Sequence, residues 1–135
     1  IGVDLKKDKA VLEAAYDDAR GVTAAFNLNL LARINRDLGA DFELAQWQHK
    51  ALYNEAQGRI EMHLVSRVDQ QVSLQGQTFR FAGGETIHTE NSYKYSVDEF
   101  RDLASRAGFT TDTVWVDADR RFSLHLLQTG STDAD

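Results

Sequence analysis

The run from Glu85 to Tyr95 crowds carboxylate, imidazole, amide and hydroxyl groups among the strand-forming residues Thr86, Ile87, Thr89 and Tyr93. Read as a strand, its alternation predicts His88, Glu90 and Ser92 on one face and Thr89, Asn91 and Tyr93 on the other. A carboxylate and a hydroxyl two residues apart then point the same way, about 7 Å apart at a rise of roughly 3.3 Å per residue. Such a pair can grip a small polar ligand, because Glu90 accepts N–H bonds while Ser92 both donates and accepts. The same spacing also fits a plainer reading, in which Glu90 answers a buried backbone donor or an arginine and Ser92 fills an ordinary strand position.

Other chemistries find less support. Glu85, His88 and Glu90 are the nearest candidates for a metal, but a zinc or non-haem iron site needs three or four converging ligands. No two histidines stand at a recognised ligand spacing, so no metal is expected. The chain lacks a Gly-x-Ser-x-Gly turn, and no neighbouring base is placed to activate Ser92. Gly83-Gly84 opens a strand rather than a helix and so lacks the amides that cradle phosphate. With no cysteine, the chain makes no disulfide or thiolate site.

The formal charge of -6 and the scatter of the 15 Lys and Arg residues argue against nucleic acid and acidic membranes as partners. No apolar run approaches the roughly 20 residues that span a bilayer, and no signal-peptide pattern opens the chain. A cytoplasmic protein of one domain, or a piece of one, is expected from 135 residues with 42% hydrophobic content.

The elements that position these residues follow from periodicity. Ile1 to Leu5 reads as a buried parallel strand whose neighbours lie upstream, as in a chain cut from something longer. Asp8 caps a helix through Val11, Leu12, Ala15 and Ala19 that ends near Gly21. Thr23 caps a second helix with an apolar face of Phe26, Leu30, Leu31, Ile34 and Leu38, stopped by Gly39. Asn27 and Asn29 are poor interior residues for a helix, so either their amides have partners or they are simply exposed.

A helical turn near Leu44 to Trp47 leads to a strand from about Lys50 to Asn54. Ile60, Met62 and Leu64 alternate with Glu61, His63 and Val65 as in a half-buried antiparallel strand. Short strands Val72 to Leu74 and Thr78 to Ala82 continue a meander, with the Glu90 stretch as its last strand. Ser96 and Glu99 form a capping box for a helix that runs to Gly108. Thr113 to Val116 and Phe122 to Leu127 make a hairpin, and residues 130–135 a disordered tail.

Several separated motifs, in order, resemble the histidine-specific S-adenosylmethionine-dependent methyltransferases. They are Gly2-Val3-Asp4-Leu5-Lys6-Lys7-Asp8, Ala15-Tyr16-Asp17-Asp18, Gly21-Val22-Thr23-Ala24 with Phe26-Asn27, Arg59-Ile60-Glu61-Met62, and Thr89-Glu90 with Ser92. Enzymes of this family trimethylate the α-amine of L-histidine to give hercynine, the first step of ergothioneine biosynthesis. The chain departs from the family pattern at Ile87, His88, Asn91 and Tyr93.

The resemblance implies an α+β architecture in two parts. Residues 1–20 and 96–129 belong to a partial Rossmann-like sheet, contributed by the first strand and the C-terminal hairpin. Residues 21–95 belong to a substrate domain built on the meander sheet, which in the family closes over histidine. The S-adenosylmethionine site falls mostly in sequence upstream of this chain, which alone is expected to be inactive. The resemblance further implies that Tyr16 holds the substrate carboxylate, that Glu90 and Ser92 bond the imidazole nitrogens, that Met62 lines the side-chain pocket, and that Thr23 lies near the substrate.

A small-molecule partner, L-histidine or a related amino acid, follows from the same resemblance. Unpaired sheet edges are expected to allow self-association. The competing readings are a non-catalytic small-ligand binding module and an interaction domain that pairs its polar strand with another chain.

Overall fold

A computed structural model describes residues 1–129, so the expected tail at 130–135 lies outside the described residues. In chain order the elements are β1 (Gly2–Asp4), α1 (Lys9–Tyr16), α2 (Val22–Leu38), a 3-10 turn (Leu44–Gln46), β2 (Trp47–Asn54), β3 (Arg59–Ser66), β4 (Gln70–Leu74), β5 (Gln77–Phe81), β6 (Thr86–Tyr93), α3 (Val97–Arg106), β7 (Phe109–Val116) and β8 (Phe122–Thr129). Three helices with antiparallel sheets make the described residues α+β. None of these helices is long and apolar enough to cross a membrane.

The chain divides into two compact units. The first comprises Ile1–Asp8, Ala56–Gly58 and the residues from Tyr93 onward. In it β8 lies between β1 and β7 and runs antiparallel to both. Asp4, at the end of β1, is bonded by Lys7 and, at 2.9 Å, by Lys94. Lys94 is buried and needs this partner, since an unpaired ammonium in the interior is costly. Burial works to raise the Asp4 pKa, but the two lysines prevail and hold it below the ordinary carboxylate range.

Helix α3 starts where its capping box predicts: Ser96 Oγ accepts from the Glu99 amide at 3.1 Å, and Glu99 Oε2 accepts from the Ser96 amide at 2.7 Å. Its Phe100 packs on His125 with ring centroids 4.6 Å apart. The inward residues Ser123 and His125 are buried, whereas Phe122, Leu124 and Leu126 alternate onto an exposed face beside Trp115 of β7.

The second unit comprises Lys9–Glu55 and Arg59–Ser92. Here β3 lies between β2 and β6, while β4 and β5 pair only with each other. The expected meander is therefore interrupted. Strand β3 buries Ile60, Glu61, Met62, Leu64 and Ser66, so its backbone groups need ladder partners on both edges. The largely exposed β5 cannot meet that demand. Gln75 and Gly76, both at positive φ, close β4 onto β5 in a tight turn, and β6 returns beside β3. Amide bonds from Ser66 to Glu85 O at 2.8 Å and from Gly84 to Ser66 O at 2.7 Å fix that return.

The helix boundaries need two corrections. Helix α1 ends at Tyr16 rather than near Gly21, because Asp18 turns back to accept from the amides of Val22 at 3.3 Å and Thr23 at 3.0 Å. Asp18, not Thr23, therefore satisfies the free donors that open α2. On α2 the expected apolar face is only partly used. Leu31 is buried, but Phe26 is 68% exposed and Leu30 and Leu38 are also exposed, while Asn27 is 3% exposed.

The reason is that Asn27 finds partners inside: its amide nitrogen lies 3.0 Å from His49 Nδ1 and 3.2 Å from His63 O. The helix stops at Gly39, which takes φ 68° and donates to Asn35 O, as its sequence position predicts. Two apolar clusters hold the helices on the sheet. Leu12, Tyr53, Ile60 and Met62 form one with Tyr16 against it, and Leu31, Trp47 and Leu64 form the other.

Candidate functional site

A cavity of about 200 Å³ opens where α2 meets β3 and β6. Met62, Thr89 and Glu90 face it from the sheet, and Phe26, Asn27 and Arg33 from the helix. Its volume lies below the few hundred cubic ångströms of drug-sized pockets and suits a small ligand. Apolar walls with a carboxylate, a guanidinium and a buried amide give it the usual makeup of a selective small-molecule site.

The strand that carries Glu90 departs from strict alternation. Thr89 and Glu90 are consecutive yet both line the cavity, and the Thr89 hydroxyl donates to Met62 O at 3.0 Å. His88 instead stacks on His63, with ring centroids 4.5 Å apart. His63 sits between the inward residues Met62 and Leu64 and so points to the opposite sheet face. Alternation therefore changes face between His88, which stacks on His63, and Ser92, which meets Tyr16. This corrects the expectation that His88, Glu90 and Ser92 share one face. Glu90 and Ser92 turn toward the helices, and His88 turns away.

Ser92 meets α1, where Tyr16 Oη lies 2.7 Å from Ser92 Oγ. Tyr16 also packs against the cluster that contains Met62. The structure thus joins Met62 with Glu90 on the cavity and Tyr16 with Ser92 in a direct hydrogen bond. Thr23 sits in the first turn of α2, its amide on Asp18 Oδ1. The Asp18 carboxyl is held below its ordinary pKa chiefly by that amide bond.

Sequence reasoning missed His49. Its Nε2 lies 2.8 Å from Tyr16 O, and its Nδ1 lies 3.0 Å from the Asn27 amide nitrogen. A carbonyl only accepts, so Nε2 carries the proton and Nδ1 accepts from Asn27. One buried imidazole thereby ties the end of α1, which presents Tyr16, to the turn of α2 that lines the cavity. The signal was available, since His49 stands among Trp47, Ala51 and Tyr53 on the inward positions of β2.

A second polar group lies on the opposite sheet face. Glu61 Oε1 accepts from Arg59 Nε at 2.9 Å, Arg59 Nη2 at 2.8 Å and Asn54 Nδ2 at 3.0 Å. Glu61 Oε2 accepts from His63 Nε2 at 3.1 Å. The Arg59 bonds, with those from Asn54 and His63, lower the Glu61 pKa to about 2. Glu61, His63 and His88 each bring one potential ligand atom within 4.8 Å of the others. None of the residues first weighed for a metal, apart from His88, belongs to this group.

The profile of the histidine-specific, SAM-dependent methyltransferase family matches residues 1–129. The histidine N-alpha-methyltransferase of Mycolicibacterium smegmatis is 42% identical over 128 residues, covering 93% of this chain and 40% of that protein. The protein of the same name from Mycobacterium tuberculosis matches with the same identity and coverage. Ergothioneine biosynthesis protein 1 of Schizosaccharomyces pombe is 28% identical over 110 residues, covering 81% of this chain and 14% of that protein. The chain spans 40% of the length of the two bacterial relatives.

Proposed function

This chain belongs to the histidine-specific, SAM-dependent methyltransferase family, and we propose that it is the amino-acid-binding portion of an enzyme that trimethylates the α-amine of L-histidine, making hercynine for ergothioneine biosynthesis. The observation that carries the reading is the meeting of Met62 and Glu90 on one small cavity, in a chain whose bacterial relatives are histidine N-alpha-methyltransferases.

In this reading Glu90 accepts an imidazole N–H, a charge-assisted bond that analogues without the ring nitrogen cannot make. Ser92 bonds the second ring nitrogen, Met62 packs on the ring, and Tyr16 reaches the α-carboxylate. Without ligand, the Tyr16 and Ser92 hydroxyls satisfy each other. Histidine exchanges that bond for two of its own, so neither hydroxyl is left unpaired in either state. Thr23 and Asp18 shape the approach to α2.

S-adenosylmethionine supplies an electrophilic methyl group, displaced in line by a neutral amine. That chemistry asks the protein for positioning and exclusion of water more than for acid or base. We assign most of the donor site to sequence outside these residues. Among the described residues, no glycine-rich strand-to-helix turn is present to receive the donor, and Asp4 at the end of β1 is bonded to Lys7 and Lys94. We also assign β1, β8 and β7 to the edge of a Rossmann-like sheet, a reading supported by the antiparallel insertion of β8 between the other two.

The reading is tested by turnover. In the protein extended to the length of its relatives, mass spectrometry is expected to find trimethylated histidine made from S-adenosylmethionine and histidine, and none from the 135-residue chain alone. A folded, donor-binding extended protein that leaves histidine unmethylated would reject it.

A further inference from the structure

We propose that Glu61, His63 and His88 form a binding site for a divalent first-row transition-metal ion, on the face of the β3–β6 pair opposite the cavity. The donor set is two imidazoles and a carboxylate, which suits such ions. Their ligand atoms come from two strands that the sequence separates widely and the sheet brings within 4.8 Å.

The carboxylate is already oriented as a ligand. Arg59 and Asn54 hold Glu61 Oε1 with three N–H bonds, and Glu61 Oε2 faces His63. Anchoring of one oxygen while the other faces the ion is the outer-shell arrangement that supports metal-binding carboxylates. Glu61 Oε2 and His63 Nε2 are 3.1 Å apart. Two ligands each about 2.1 Å from a common ion would subtend about 95° at that separation, close to adjacent positions of an octahedral or tetragonal ion.

The ion takes the place of the hydrogen between these atoms, and the imidazole proton moves to His63 Nδ1. His88 completes the set. Its ring is exposed, stacked on His63 and bonded through Nε2 to Glu90 O at 3.2 Å, and parallel rings do not aim their lone pairs at one point, so it tilts to aim an unprotonated nitrogen at the ion. An exposed side chain makes that move within nanoseconds. Three features weaken the affinity. Lys50, across the ladder from His63, and Arg59 add positive charge, and His63 Nδ1 is buried without a protein partner to receive from it.

The test titrates the chain with Cu²⁺ or Zn²⁺ in a non-chelating buffer. One equivalent is expected to bind, and His88→Ala and His63→Gln are each expected to weaken binding by about tenfold or more. Because His88 is exposed, His88→Ala keeps the fold and its result stands alone. Electron paramagnetic resonance of the copper form is expected to show coupling to two imidazole nitrogens in the wild type and one in His88→Ala. No saturable binding, equal affinity in His88→Ala, or a copper spectrum without imidazole coupling would each overturn the site.

Discussion

Glu61 shows most directly how one side chain sets the response of this protein to pH. Its pKa is lowered from 4.5 to about 2, first by Arg59 and then by Asn54 and His63. A carboxyl whose folded pKa is depressed stabilises the fold fully above its unfolded pKa, and that contribution is lost as pH falls through the folded pKa. Acid unfolding is therefore expected to steepen between about pH 4.5 and 2 in the wild type. In Glu61→Gln this part of the curve should be flatter. Parallel stability curves for the two proteins across that window would show that the Arg59 bonds make no net contribution. The cavity residues act differently. Glu90 and Arg33 line the cavity, where they are suited to a ligand, although Arg33 also lies 3.8 Å from Asp37.

At the scale of elements, His49 is the joint between α1, α2 and β2. Replacing it with Phe leaves the Tyr16 carbonyl without its donor and removes one partner of the Asn27 amide. A loss of about 2 kcal/mol is expected, read as a lower urea midpoint at an unchanged slope. A midpoint within error of the wild type would mean that the two groups find other partners.

Elements whose signals are local were legible in the sequence. The Ser96 and Glu99 capping box, the Gly39 stop and the inward alternation of Ile60, Met62 and Leu64 all appear where spacing placed them. What failed depended on contacts between distant residues. Phe26 is expected on the buried face and is exposed, whereas Asn27 takes the partnered reading, through His49 and His63, neither of which is visible from the helix alone. The place of β6 beside β3 depends on a whole strand pairing, and the change of face between His88 and Ser92 on their contacts with His63 and Tyr16. The grouping of Glu61, His63 and His88 was missed for the same reason, since ligand spacing along a chain says nothing about ligands gathered across a ladder.

For the molecule as a whole, the sheet of β1, β8 and β7 shows α3 on one face and apolar side chains on the other. Phe122, Leu124, Leu126 and Trp115 are all roughly half exposed there. Exposed apolar faces of this kind often mark interaction surfaces. In the chain by itself, concentration-dependent self-association is expected by sedimentation velocity, and Leu124→Lys should reduce it. A monomer at every accessible concentration would contradict this.

The proposed function requires that Glu90 read the imidazole of histidine, which calorimetry on the protein extended to the length of its relatives can measure. Glu90→Ala is expected to weaken histidine binding by about tenfold or more while S-adenosylmethionine affinity stays unchanged. Equal histidine affinity in the wild type and Glu90→Ala would remove Glu90 from the site.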